Sequence, residues 1–436
     1  MSIESLYQIY LRHPKVTTDS RQVEPGCLFF ALKGEHFNGN EFAAQAIEQG
    51  AAFAIIDEPQ LIPHPSSLIP VDDVLSTLQK LATHHRRHFD IPLIAITGTN
   101  GKTTTKELLS AVLASHYPAH FTKGNLNNHI GVPLTLLAMP AETEVAIIEM
   151  GANKPGDIDE LCRIAEPTHG LITNVGKAHL EGFGDFEGVK QTKAELYRYL
   201  AAHKGLIFIN LDEPHLEKLA EKNRLKVYYH QSQNPDREHH PYEVKFIAGQ
   251  PFVVAGFLSE TDDLVEVKTH LIGAYNFNNV MSAIALGRYF KVPAQKIKAA
   301  IEGYVPANNR SQILKIGSNT FVLDAYNANP TSMKHALTFF AEMDASRKIA
   351  ILGAMKELGS FSDVEHEQMA EFALSCPLRQ VILVGNEFRE AAENAGIQWF
   401  ETTAQLKDWF GRQSFSDTHF LVKGSRSIGL EKLLDS

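Results

Sequence analysis

At 436 residues the chain is long enough for two to four domains with substantial cores. Apolar residues at 44% and charged residues at 21% place it among ordinary soluble globular proteins. Its 41 basic against 51 acidic residues give a net charge of −10, which argues against a nucleic-acid partner, whose binding leaves a basic footprint. The cysteines Cys27, Cys162 and Cys376 stand far apart without a C-x-x-C pair. That excludes a disulfide framework or a cysteine zinc site and points to a reducing compartment. Met1 to Pro14 lacks the charge and apolar run of a signal peptide, and no apolar run approaches a membrane span. The expectation is a cytoplasmic protein with no membrane insertion, acting as a monomer.

Residues 1–88 read as a small N-terminal α/β domain. Strands are expected over Cys27 to Leu32, Ala51 to Ile56 and Ser67 to Val71. Helices are expected over Asn38 to Gln49 and Val74 to Phe89. The basic knot His84 to His88 reads as a helix C-terminus answering its own dipole. Asp19-Ser20-Arg21 is a turn or cap triplet beside a strand, which is also where α/β units hold ligands.

Residues 89–307 form a second, central unit of the P-loop ATPase type. Leu93–Thr97, Val145–Met150, Gly170–Val175 and Gly205–Leu211 are nearly continuously apolar, as in a mostly parallel sheet covered on both faces. From Val227 to Ile272 short alternating runs read as an antiparallel appendage, and Asn276 to Phe290 as a helix. Residues 308–436 repeat the α/β rhythm as a C-terminal Rossmann-like domain, with strands at Thr320–Asp324, Lys348–Leu352, Gln380–Gly385 and Phe420–Lys423. The fold class is α/β, three domains in series.

The central unit opens on a phosphate-loop signature. Ile94 to Thr97 is a short apolar strand; Gly98-Thr99-Asn100-Gly101-Lys102-Thr103-Thr104 then turns into a helix. Backbone N–H groups and a helix N-terminus together favour an anion there. Lys102 is placed to reach the outer phosphates and Thr103 to offer its hydroxyl to magnesium. The first glycine of the longer Walker pattern is replaced by Ile96, so the match is the shorter G-x-x-G-K-T.

Three further residues fit a metal and phosphate site, each with an ordinary reading beside it. Glu149 closes an apolar strand, where a carboxylate suits magnesium; strand-end acids are also common surface groups. Lys193 shares the apolar stripe of Val189, Tyr197 and Leu200, where lysines more often snorkel to solvent. Were it buried, its lowered pKa would let the neutral amine take up carbon dioxide, and the carbamate would be an anionic ligand. His179, in a glycine-bearing loop, is either polar surface or a metal ligand.

The ensemble resembles the Mur ligases, the ATP-dependent amino-acid-adding enzymes of peptidoglycan synthesis, over essentially the whole chain. The motifs carrying the likeness are Gly98 to Thr104, Glu149, His179, Lys193-Ala194-Glu195, Gly273 to Asn279, Arg310 and Asp324. Tyr275 stands where other members carry histidine. The resemblance implies ATP and magnesium as cofactors, a carbamylated Lys193, Asn276 and Asn279 near the adenine, Arg310 at the phosphates and Asp324 approaching the nucleotide. It makes Lys102, Lys193, His179 and Arg310 the catalytic set, and Thr103, Glu149, His179 and Lys193 the metal set.

Gly124 to Thr135, Asp324 to Met333 and Leu421 to Arg426 resemble the family member that adds D-alanyl-D-alanine to a UDP-N-acetylmuramoyl-tripeptide. On that reading Ser20 and Arg21 hold the UDP part, and Asn127, Asn128, Tyr326, Asn327 and Asn329 approach substrate; Asn127 and Asn128 also read as plain turn residues. Phosphoryl transfer to a carboxylate needs positioning and charge neutralisation, so no Ser–His–Asp or cysteine nucleophile is expected. Three competing readings differ in sequence. A folylpolyglutamate synthase would lack the 88 residues before the loop. A GTPase switch would carry N-K-x-D, where Asn153-Lys154-Pro155-Gly156 lacks the aspartate. A non-catalytic nucleotide module would make the placement of Lys193 a coincidence.

Overall fold

The computed structural model describes residues 1–58, 65–232, 241–306 and 312–434. Three main sheets come from successive stretches of chain. The first has four parallel strands in the order Val16–Thr17, Leu28–Phe30, Phe53–Ile56 and Leu68–Pro70. A two-stranded hairpin, Lys33–Gly34 with Phe37–Asn38, stands beside it. Among the described residues the second sheet has nine strands. Its parallel part runs Leu225–Gln231, Leu206–Asn210, His169–Ile172, Leu93–Thr97, Val145–Glu149, Ala119–Phe121. The third runs Gln312–Ile316, Asn319–Asp324, His419–Lys423, Lys348–Gly353, Gln380–Val384, Gln398–Phe400, parallel except for the hairpin at its first edge.

Continuous apolarity in the central strands follows from burial on both faces. Leu93 and Ala95 belong to one core, while Ile94 and Ile96 belong to the other. Ala146 and Ile148 divide from Val145 and Ile147 in the same way. Because strand side chains alternate with period two, a strand between two cores must be apolar at every position. The first of these cores also takes in Leu28, Phe30 and Ile55 of the first sheet and Leu352 and Leu421 of the third, so one apolar body links all three.

Two expectations change. The run from Val227 is not a separate antiparallel appendage: Leu225–Gln231 pairs in parallel with Leu206–Asn210, and Glu243–Ala248 joins it through two parallel pairs. Only Glu243–Ala248, Phe252–Leu258 and Leu264–Ile272 are antiparallel, extending the central sheet. His84, His85 and Arg86 of the basic knot do lie in the last turn of the helix Val74–Arg86, but His85 and Arg86 are buried at a joint. Arg86 donates to the carbonyls of Ala165, Phe89 and Ile91, while His85 Nδ1 lies 3.1 Å from the Tyr7 hydroxyl. Tyr10 donates to Leu137 O. Contacts across to the central unit, more than the helix dipole, explain these two residues. No helix among the described residues is long and apolar enough to cross a membrane.

Candidate active site

A cleft of about 1580 Å³ lies between the central and third sheets. Gly98 does not line it, but Thr99 to Thr104 do, together with Asn127, Asn128, Glu149, His179, Asn276 and Asn279 from the central unit. From the third sheet's side come Asp324, Tyr326, Asn327, Asn329 and Lys423.

The loop's shape is forced by its neighbours. Gly98 has φ +145° and a Cβ there would stand 2.0 Å from Thr173 Oγ1. Gly101 has φ +77°, and its Cβ would meet Asn279 Oδ1 at 2.3 Å. Only glycine fits either place. Thr99 N–H donates to Asn174 O and Asn100 N–H to Asn174 Oδ1, so two loop donors are engaged within the protein. Presentation of N–H groups to an anion falls to the first turn of the helix Lys102–Ala114, where amides have no partner four residues back. Lys102 Nζ is curled onto the carbonyls of Gly98 and Thr99 at 2.7 and 3.0 Å.

Glu149 is 1% exposed at the end of Val145–Glu149, the strand next to Leu93–Thr97. Its Oε1 accepts from Thr103 Oγ1 at 3.2 Å and from Asn127 Nδ2 at 2.8 Å. Among the described residues its Oε2 is sealed from solvent with no hydrogen-bond donor, and Lys106 Nζ lies 3.9 Å away. A buried carboxylate oxygen without a donor, beside a threonine hydroxyl at a phosphate loop, suits a hard cation. Among the described residues, no three His, Cys, Asp or Glu side chains gather as a ready-made metal cluster.

Lys193 does not snorkel. It is 2% exposed within the helix Phe186–Ala202, with its Nζ 5.4 Å from the centre of the Phe183 ring. Burial, and then the nearby Lys102, push its pKa well down, while Asp157 and Glu195 act the other way. It does not itself line the cleft; its neighbour Asp157 does. Glu195 accepts from the N–H groups of Gly156 and Asp159, tying this helix to the start of Asp157–Ala165. His179, at φ +50°, lines the cleft with its Nδ1 turned to Glu357 Oε2 at 2.6 Å.

The asparagines are engaged with the protein. Asn279 Nδ2 donates to Asn276 Oδ1, Thr105 Oγ1 donates to Asn279 Oδ1, and Asn276 Nδ2 donates to Ile272 O. Asn127 orients Glu149, while Asn128 Oδ1 accepts from the N–H groups of Ile130 and Gly131 just ahead of the helix Gly131–Leu137. Asp324 is paired with the buried Lys423 at 2.6 Å. Tyr326 carries the Arg426 guanidinium 5.2 Å above its ring, and Asn327 Oδ1 accepts from Ala328 N–H. Asn329 caps the helix Pro330–Glu342 and donates across the cleft to Asn100 Oδ1 at 2.7 Å.

Ser20 and Arg21 lie apart from this cleft, on the short helix Ser20–Gln22, with Arg21 bound to Asp19. Arg310 lies outside the described residues. Sequence reasoning missed the supporting residues Lys106, Asn174 and Glu213. Lys106 sits one turn beyond Lys102 on the same helix and could have been found by that spacing; Asn174 and Glu213 had no such signal. Glu213 follows the strand Leu206–Asn210, lines the cleft and accepts from Asn278 Nδ2 at 3.2 Å. Burial pushes its carboxyl up to about 7, with Asp212 adding to the effect.

A phosphate-binding helix start, a carboxylate fitted for a hard cation and a second α/β sheet closing over both define a nucleotide-dependent group-transfer enzyme, and the comparisons give its family. Residues 14–86, 96–287 and 309–426 match the Mur ligase family catalytic domain, the Mur ligase middle domain and the Mur ligase glutamate ligase domain, and the chain belongs to the Mur ligase family. The UDP-N-acetylmuramoyl-tripeptide--D-alanyl-D-alanine ligase of Bacillus subtilis (strain 168) is 37% identical, over 96% of this chain and 92% of its own length. Among solved structures, MurF from Acinetobacter baumannii superposes with a TM-score of 0.85 at 28% identity, over 99% of this chain and 97% of that one. The MurF ligase from Thermotoga maritima in complex with ADP gives 0.83 at 26%, over 98% and 97%.

Proposed function

We propose that this chain uses ATP to join D-alanyl-D-alanine to the terminal carboxylate of a UDP-N-acetylmuramoyl-tripeptide, as a monomer in the cytoplasm, during peptidoglycan precursor synthesis. Full-length likeness to ligases of that name supports the substrates. The observation that carries the chemistry is a single cleft in which the phosphate loop and Glu149 face Asp324, Tyr326 and Asn329 from the third sheet.

A carboxylate oxygen of the tripeptide attacks the γ-phosphorus of ATP, ADP leaves, and an acyl phosphate forms. The amine of the dipeptide then attacks the acyl carbon; a proton is lost, the C–O bond breaks and phosphate departs. Both steps concentrate charge on phosphoryl oxygens, so catalysis here is positioning and neutralisation. Amides from Gly101 to Thr104 hold the phosphates, and Lys102 exchanges its loop carbonyls for phosphate oxygens. Arg310, by the family resemblance, adds a second cation at the phosphates. Magnesium would be held by Thr103 and Glu149, with His179 and a carbamylated Lys193 as further ligands, and would supply the rest of the neutralisation. The depressed pKa of Lys193 supports the carbamate, since only the neutral amine adds carbon dioxide.

The units 1–88, 89–307 and 308–436 divide the substrates. The first takes the UDP part through Ser20 and Arg21, the second ATP with Asn276 and Asn279 near the base, and the third the dipeptide, with Asp324 toward the nucleotide and Tyr326 and Asn327 toward the peptide. Asn127 and Asn128 place Glu149 and the adjoining helix against the tripeptide. ADP release measured with each substrate omitted in turn tests this: all three substrates are required. Release indifferent to tripeptide and dipeptide would overturn it.

A further inference from the structure

The resemblance gives the nucleoside end of the cleft to Asn276 and Asn279, yet most of the bonding capacity of those amides is engaged. Asn276 donates to a backbone carbonyl and accepts from Asn279, which in turn accepts from the phosphate-loop helix. Most other carboxylates lining the cleft also hold protein partners. Glu149 accepts from Thr103 and Asn127, Asp212 from the N–H of Gln231, and Asp324 from Lys423. Glu213 takes one neutral donor, Asn278 on its Oε1, and among the described residues no donor bonds its Oε2. That oxygen is not sealed off, as Glu149 Oε2 is, and its residue lines the cleft. Asn278 belongs to the helix Phe277–Tyr289, next to Asn279 and two residues past Asn276, so Glu213 is tied to the helix that braces the loop.

We propose that Glu213, held by Asn278, is a specificity-determining acceptor that reads a hydrogen-bond donor on the nucleoside of the bound nucleotide. The inference rests on the ATP reading of the cleft. Two donors share the chemistry, the 6-amino group of adenine and a ribose hydroxyl. Ordinary carboxylates are solvated or paired; this one is kept in a poorly solvated place with one neutral partner, and burial raises its pKa accordingly. A bound N–H or O–H supplies the missing partner and favours the ionised form.

The test uses the full-length enzyme with saturating tripeptide and dipeptide, and compares ATP with purine riboside triphosphate, which lacks the amino group, and with 2′-deoxy-ATP. Wild type is expected to prefer ATP by at least about tenfold in kcat/KM over one of the two, the size of one hydrogen bond to a charged group. Glu213→Gln keeps an oxygen for Asn278 but turns the cleft-facing atom into a donor. It is expected to reduce that preference to less than about threefold, raising KM for ATP and leaving the peptide KM values unchanged. The analogue whose disadvantage disappears identifies the donor. Asn278→Ala, which leaves the carboxyl but loosens it, is expected to weaken the same preference, and thermal melting of both variants separates loss of fold from loss of recognition. Unchanged preference in a folded Glu213→Gln enzyme would overturn the proposal. Absence of ATP-dependent ADP release in wild type would instead overturn the ligase reading beneath it.

Discussion

Glu149 and Lys193 show how much of the chemistry rests on burying charge. A carboxylate at 1% exposure with an oxygen that has no donor is costly unless a cation completes it. Glu149→Gln keeps the shape and removes the charge, so ADP release is expected to fall by at least ~100-fold, about 2.7 kcal/mol of transition-state stabilisation. Steady-state kinetics check this, and a fall confined to a few-fold would contradict it. Lys193→Ala is expected to abolish turnover, with partial recovery when short carboxylic acids replace the proposed carbamate. Wild-type activity in that variant would sink the carbamate. For Glu213 the sign of the pH effect is fixed by its raised pKa. Between the ordinary carboxylate value near 4.5 and about 7, the unfolded chain has lost this proton while the folded chain keeps it. Stability contributed by the group therefore falls as pH rises through that window. Asp212 adds to the penalty, and the phenol of Tyr229 feels the same carboxylate. Thermal melts should show Glu213→Gln gaining stability relative to wild type from pH 5 to pH 8; a constant offset would contradict this.

At the scale of elements, the phosphate loop is held as much by the segment after His169–Ile172 as by its own strand and helix. Thr173 Oγ1 and Asn174 Nδ2 both donate to Asn100 O, and Gly176 N–H donates to Thr99 Oγ1. Gly101→Ala would need a positive φ and a 2.3 Å approach to Asn279. It is expected to raise KM for ATP at least tenfold and to lower stability by ~1–3 kcal/mol, read by nucleotide titration and by denaturant melts. The loop and most strands of the three sheets were legible in the sequence because glycines at fixed spacing and unbroken apolar runs are local signals. The bracing was not, since Asn174 and Glu213 act through partners more than sixty residues away. Lys193 marks the boundary: its place on an apolar stripe raised the question of burial, and only packing against Phe183 answered it. The same limit explains the misread edge of the central sheet, where alternation showed strands without showing that Leu225–Gln231 pairs in parallel.

Across the whole molecule, the cleft is closed by a few polar contacts beside an apolar body. Asn329 reaches Asn100, Lys177 meets Glu365 at 2.5 Å, His179 meets Glu357, and Tyr275 stacks 6.3 Å from His335. Asn329→Ala removes both the helix cap and the link to the phosphate loop. It is expected to lower kcat more than it raises KM for ATP, because on the proposed reading the central unit holds ATP while closure brings the third sheet to the acyl phosphate. Equal effects on both would contradict that division. The central claim, that the cleft makes an acyl phosphate on the way to a peptide bond, is tested most directly by isotope transfer. With oxygen-18 in the terminal carboxylate of the tripeptide, turnover with ATP and D-alanyl-D-alanine is predicted to deliver one labelled oxygen to each inorganic phosphate released. Phosphate free of label, alongside normal peptide formation, would contradict the account.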